Sequence, residues 1–458
     1  MKKFTKSLFV FHRDLRFSDN RGLLRALAQS EQVIPCFIFD PIQVGNKNSY
    51  RSTNAIQFMI ASLQELDEQL HKRDGKLYIF YGHTLDVIKK LITHEQIDAV
   101  FCNHDYTPFA LKRDKEIEHL CHQNNRAFIQ EHDLLLHEPE QIHTGDGSPY
   151  SVFTAFYKKS LTIPVDKPLP PVPGTFYTKR IDEAEPKEIY KKILPEHNEH
   201  IKVAGGRSEA ITILKNIKKH KDYATTRDFP GLDDTTKLSA HFKFGTVSIR
   251  EAYWYIAKEL GANHPLLRQF YWRDFFTHVA YHSPFVFGHA FHEKYNKLPW
   301  KNNEADFKAW CEGKTGFPIV DAGMRQLNAT GWMHNRVRMI VASFLVKDLH
   351  IDWRWGEKYF AQHLVDYDPC VNNGNWQWSA STGCDAQPYF RIFNPWLQQV
   401  KFDPECTYIK EWVPELKDVD VKTIHSWNTS KHVLKNYPKP IVDHAIESAK
   451  AKMVYKNV

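Results

Sequence analysis

Cysteine is scarce in this sequence and long apolar runs are missing. Seven cysteines in 458 residues, an odd number without CxxC spacing, exclude a disulfide framework or a thiolate metal cluster and fit reduced thiols. No stretch approaches the roughly 20 apolar residues that a membrane helix needs. Met1-Lys2-Lys3-Phe4-Thr5-Lys6 runs into a strand pattern without a cleavage-like tail, so no secretory signal is expected and a cytoplasmic location is. No GxGxxG follows that first strand pattern, which removes the usual dinucleotide fingerprint. What is present is a globular composition, 42% hydrophobic and 25% charged, in a chain too long for one ordinary core. The net charge of +7 is compatible with a nucleic-acid partner without requiring one.

The chain divides into residues 1–133, 134–206 and 207–458. In the first part, apolar runs at 7–11 (SLFVF), 33–39 (VIPCFIF), 76–81, 99–102 and 126–130 predict strands. Helical patterns at 21–29, 53–72, 85–93 and 112–123 lie between them. That alternation predicts an α/β domain with a doubly wound parallel sheet and a crevice beyond the strands' carboxyl ends. The middle part loses periodicity, and Pro164, Pro168, Pro170, Pro171, Pro173 and Gly174 make it a stiff connector. Residues 151–157 allow one short helix there. From 207 onward only helical patterns follow, among them 208–219, 248–260, 266–281 and 319–346.

Residues 330–391 concentrate carboxylates, amides, fixed cations and tryptophans. They include Trp332-Met333-His334-Asn335-Arg336-Val337-Arg338-Met339, Asp352-Trp353-Arg354 and Asp366-Tyr367-Asp368-Pro369. Beyond these come Asn372-Asn373-Gly374-Asn375-Trp376-Gln377-Trp378 and Tyr389-Phe390-Arg391. Paired Asp and Arg can hold the edge of a polar ring system, and amides can donate to it or accept from it. A tryptophan-rich core with surface ion pairs reads the same composition equally well. Thr235-Thr236-Lys237-Leu238-Ser239 places hydroxyls and a cation at a helix start, which suits a pyrophosphate or an ordinary N-cap. On the 266–281 helix, Gln269, Trp272 and Arg273 share one face.

As an ordered set these motifs, with His12-Arg13-Asp14-Leu15-Arg16 after the first strand, resemble the DNA photolyase and cryptochrome family. Within it they are most similar to class I photolyases of cyclobutane pyrimidine dimers. The resemblance implies FAD in the helical domain, ultraviolet-damaged DNA as partner, light-driven repair and a monomer without a hydrolytic triad or a metal. It implies that Tyr223, Thr235, Thr236, Lys237, Leu238, Ser239, Gln269, Arg273, Asn335, Arg338, Asp366, Asp368 and Asn372 hold the flavin. Arg338 then pairs with Asp366, and Asn372 stands beside flavin N5. Trp376, Trp353 and Trp300 match an electron relay to the surface. Trp272, Trp378, Met339, Asn335 and Gln269 face the flipped-out lesion, while Arg227, Arg336 and Gln398 contact the DNA backbone.

An antenna chromophore in the first domain is also implied. Arg51, Asp105 and Lys243 match contacts of the deazaflavin type, the Asn-Glu pair of the folate type is missing, and an FMN-type second flavin or an empty pocket stays open. Gln269 departs from the Glu of dimer photolyases and matches (6-4) photolyases. Against that branch, Asn335 and Met339 stand where it has a His pair. A cryptochrome-type photoreceptor is the rival reading from outside repair.

Overall fold

The computed structural model describes residues 2–431 and 433–458. Its first half is built on parallel strands: β1 (Phe4–Phe11), β2 (Ser30–Phe39), β3 (Tyr78–Tyr81), β4 (Ala99–Asn103) and β5 (Ala127–Glu131). The order β3-β2-β1-β4-β5 means the chain winds outward from β1 in one direction, returns, and continues on the other side. Both faces are covered by helices, so the inner strands are apolar without alternation. Leu8, Phe9, Val33, Ile34, Val100 and Phe101 are fully buried. The winding reverses between β1 and β4. A crevice therefore opens there, where Arg13 and Asp105 follow the two strands.

The intervening helices begin where short polar side chains precede apolar periodicity. Asn20 caps Arg21–Gln29, Ser52 caps Thr53–His71, and Thr107 followed by Pro108 caps Pro108–Gln123. That last start lies four residues before the expected 112, because Pro108 suits a first turn.

Residues 134–206 are tied down on both sides. Phe153–Ser160 forms the expected short helix, and Phe153 stacks on Trp272 of the second half with ring centroids 3.5 Å apart. Thr175–Phe176 forms β6, parallel to β2, and Phe176 joins the first core. Pro186–Ile193 adds a helix whose Ile189 and Ile193 enter that same core.

The second half is helical. Two expected elements are corrected: the pattern over 208–219 gives the helix Arg207–Lys215 and a separate 3-10 turn, Ile217–His220, and the apolar period over 319–346 covers two helices, Pro318–Thr330 and Asn335–Lys347. Gly331 ends the first at φ +68°, and a Cβ there would lie 2.6 Å from Asn54 Nδ2, so only glycine makes the turn. His334 starts the second by accepting from Arg336 N.

Polar contacts dock the halves. Arg16 and Arg250 converge on Asp133 at 2.6 and 2.7 Å, and Arg250 also reaches Asp19 at 3.1 Å. All four side chains are buried. Burial pushes the Asp133 carboxyl upward, but the two guanidinium groups outweigh it and hold it below the ordinary range.

Candidate active site

Asp368 begins the Pro369–Ala380 helix: its Oδ1 accepts from Cys370 N at 3.0 Å and Val371 N at 3.2 Å, and Pro369 occupies the first turn. The helix then sets Asn372 and Trp376 one turn apart on one face, both buried. Trp376 lies against the Trp353–His363 helix because residue 356 is glycine. A Cβ there would come within 2.1 Å of the indole ring.

Two helices, Leu238–Phe244 and Asn335–Lys347, and the turn that follows the Trp353–His363 helix converge on a polar clamp. Arg338 grips Asp366 with both terminal guanidinium nitrogens, at 3.1 and 3.0 Å, and its Nε donates to Met333 O at 2.8 Å. Ser239 donates to the same Asp366 at 2.6 Å. The Leu238–Phe244 helix that carries Ser239 follows Thr235, Thr236 and Lys237 rather than including them. Thr235 Oγ1 is buried without a partner among the described residues, a polar atom left for a ligand. Lys237 is held by Asp233 at 2.8 Å, and Tyr223 is buried beneath Arg227. Asn372 donates to Glu357 O at 3.1 Å and Glu357 Oε1 at 2.9 Å.

A second cluster joins the two halves of the chain. Arg13 pairs with Asp368 and reaches Asp105 at 3.4 Å. Lys243 and Arg273 act on the same Asp368. Burial pulls Asp368 upward, but Arg13, Lys243 and Arg273 hold it well below the ordinary range. Lys243 is lowered to about 8, by burial first and by Arg13 next. Arg273 also donates to Leu134 O at 2.9 Å and Phe242 O at 3.5 Å. Asp105 and Lys243 thus meet Asp368 and Arg273, whereas Arg51 bonds instead to Val44 O and Ile193 O. Nearby, His12, Cys102 and Asp114 bring donor atoms within 4.8 Å of one another. Arg113 bonds Asp114 at 2.8 Å and contacts His12 at 3.2 Å, a cation against any metal.

Of the residues expected to face DNA, Gln269 has no side-chain hydrogen bond among the described residues. Trp272 is half-buried, with one face covered by Phe153. Trp378 is half-buried near Phe393. Asn335 is exposed and approaches Met339 Sδ at 3.7 Å. Arg336 is bound to Asp228 at 2.8 Å and lies over Phe402, while Gln398 Oε1 is buried without a partner among the described residues. Trp376 and Trp353 belong to one core, against which half-buried Trp300 packs. The ring neighbours of Trp376 are Phe360 at 4.9 Å and Trp310 at 6.2 Å. Trp300 contacts Tyr455 at 6.4 Å.

Sequence reasoning passed over Phe153, the partners of Arg13, and Glu357. Glu357 had a signal: it lies one turn after Trp353, on the face that Phe360 continues into the core.

Two family models match the chain: the DNA photolyase model over residues 7–174 and the FAD-binding domain of DNA photolyase over residues 266–457. A deoxyribodipyrimidine photo-lyase from Synechococcus sp. is 37% identical, covering 98% of this chain and 96% of the relative. One from Escherichia coli is 36% identical, covering 96% of each. Among solved structures, an archaeal photolyase from Sulfolobus tokodaii with two FAD molecules is similar at TM-score 0.91 and 44% identity. It covers 99% of this chain and 100% of its own. A Synechocystis cryptochrome is similar at TM-score 0.89 and 28% identity, covering 99% and 100%.

Proposed function

The chain belongs to the DNA photolyase family, and from that premise we propose how its residues divide the work of repair. It is an FAD-dependent lyase that binds damaged DNA and uses light to split cyclobutane pyrimidine dimers. Bound FAD, when reduced, supplies the excited electron that opens the dimer and takes it back afterwards. The residues present fit that group: Thr235 keeps a buried hydroxyl free for a phosphate, and the Arg338–Asp366–Ser239 clamp offers a fixed hydrogen-bonding edge. With both amide hydrogens on Glu357, Asn372 presents only its oxygen to flavin N5.

The observation that carries this reading is the placing of Asn372 and Trp376 one turn apart on a helix whose cap residue, Asp368, is fixed by Arg13. Trp376, Trp353 and Trp300 carry electrons inward from the surface, since intermediate oxidisable rings shorten each transfer. Trp272, Trp378 and Met339 receive the flipped pyrimidines, and Gln269 holds their polar edge. Arg227, Arg336 and Gln398 position the DNA backbone. Arg336 must exchange Asp228 for phosphate to do so. The enzyme works as a cytoplasmic monomer.

A second chromophore belongs in the crevice beyond β1 and β4, beside Arg13, Asp105 and Lys243. A flavin-type antenna is the reading that the two-FAD Sulfolobus relative supports. Blue-light repair of oligonucleotides carrying each lesion tests the assignment: repair of the cyclobutane dimer is expected. Repair of the (6-4) lesion alone would move the chain to that branch, and binding without repair would favour a photoreceptor.

A further inference from the structure

We propose that Glu357 is a positioning residue for the flavin, fixing the direction in which the Asn372 amide faces N5. The inference rests on the reading above that Asn372 stands at N5. Asn372 Nδ2 has two hydrogens, and Glu357 takes both, with its backbone carbonyl at 3.1 Å and Oε1 at 2.9 Å. A backbone carbonyl only accepts, so the amide is oriented with nitrogen toward Glu357 and oxygen away from it.

The consequence is a redox preference. An amide oxygen accepts from the N–H that N5 carries in reduced flavin, but it opposes the bare N5 lone pair of the oxidised ring. A reversed amide would do the opposite. Glu357 therefore decides which state Asn372 favours, although it touches Asn372 rather than the ring.

The surroundings of Glu357 make this hold responsive. Its side chain is 6% exposed. The groups acting on its carboxyl are Asn372 from the Pro369–Ala380 helix and the Tyr50 hydroxyl from the loop before Thr53–His71. Tyr367, stacked on Tyr50 with centroids 6.4 Å apart, is the other titratable neighbour. No cation is among these groups, so burial dominates and raises the carboxyl to about 7. Below about pH 7 the group is neutral. Above it, the carboxylate accepts from Asn372 more strongly, as charge-assisted hydrogen bonds do.

The test is the midpoint potential of flavin in the holoprotein as a function of pH, for wild type, Glu357→Gln, Glu357→Leu and Asn372→Ser. Gln keeps an acceptor oxygen and cannot ionise, so it should retain the wild-type preference for reduced flavin. It should also lose the step that wild type shows near pH 7. Leu removes one of the two anchors, and the ratio of affinities for reduced over oxidised FAD should fall roughly five- to tenfold, the worth of one ordinary hydrogen bond. If Asn372→Ser shifts the potential while both Glu357 variants match wild type at every pH, the role of Glu357 is overturned. If Asn372→Ser itself matches wild type, the placing of Asn372 at N5 fails and the inference with it.

Discussion

Arg13, two residues beyond the first strand, pairs with Asp368, the cap of the helix that carries Asn372 and Trp376. The partners are 355 positions apart in sequence, and the contact fixes the flavin-side helix to the α/β half. Both side chains are buried, so neither finds water if the other is removed.

Arg13→Leu should therefore destabilise the protein by about 1.5–3 kcal/mol, the worth of a hydrogen bond between charged groups, since Lys243, Arg273 and two helix N–H groups still face Asp368. Asp368 is depressed below the ordinary carboxylate range. Such a group adds stability above its unfolded pKa, about 3.9, and loses it as pH falls through the depressed folded value. The gap between wild type and variant, measured by urea unfolding, should be full at pH 7 and close progressively below about pH 4. A gap that widens in acid would mean that Asp368 does not depend on Arg13.

Asp366→Ala should loosen flavin without unfolding the helices. Arg338 stays tied through Nε to Met333 O, and Ser239 turns to solvent. What disappears is the acceptor that orients the guanidinium. Hydrogen bonds to charged groups contribute about 1.5–3 kcal/mol, so FAD should dissociate roughly ten- to a hundredfold more readily. Flavin released on dialysis, read by its fluorescence, measures this.

Trp376→Phe should block photoreduction of oxidised FAD, because phenylalanine is much harder to oxidise. Repair by chemically reduced enzyme should survive, since that electron comes from the flavin. The ring lies between Gly356, Phe360 and Trp310, so the smaller side chain leaves a cavity and some loss of thermal stability. Equal loss of photoreduction and repair would assign Trp376 a packing role alone.

The strands were legible because a parallel sheet covered on both faces demands unbroken apolar runs, as in Leu8–Phe11 and Val33–Phe39. The helix break at Gly331 was hidden inside an apolar period that continues through it. Only the positive φ at Gly331 and its contact with Asn54 reveal the turn. β6 is two residues long, too short for any period. The motif residues of the site were visible as types, and their mutual distances were not. Lys237 and Arg336 looked like free cations but are paired with Asp233 and Asp228. Glu357 went unnoticed because its partner, Asn372, lies on another helix.

Gln269 decides the branch. It lies half-buried on the Pro265–His282 helix beside Trp272 and Arg273, and its amide has no protein partner among the described residues. It is therefore available to a thymine edge through neutral hydrogen bonds alone. As the dimer accepts an electron, charge builds on that edge, and a carboxyl able to share a proton would hold it more tightly. Hydrogen bonds involving charge contribute about 1.5–3 kcal/mol against about 1 kcal/mol for neutral ones. Gln269→Glu should then keep or raise dimer repair per absorbed photon, and Gln269→Ala should lower it with the flavin spectrum unchanged. Both are read from repaired oligonucleotide under calibrated blue light. A (6-4) enzyme would give the reverse: damage by either substitution and wild-type activity on the (6-4) lesion only. The exposed Asn335 and half-buried Met339 argue against that outcome, because neither supplies the imidazole that such acid chemistry requires.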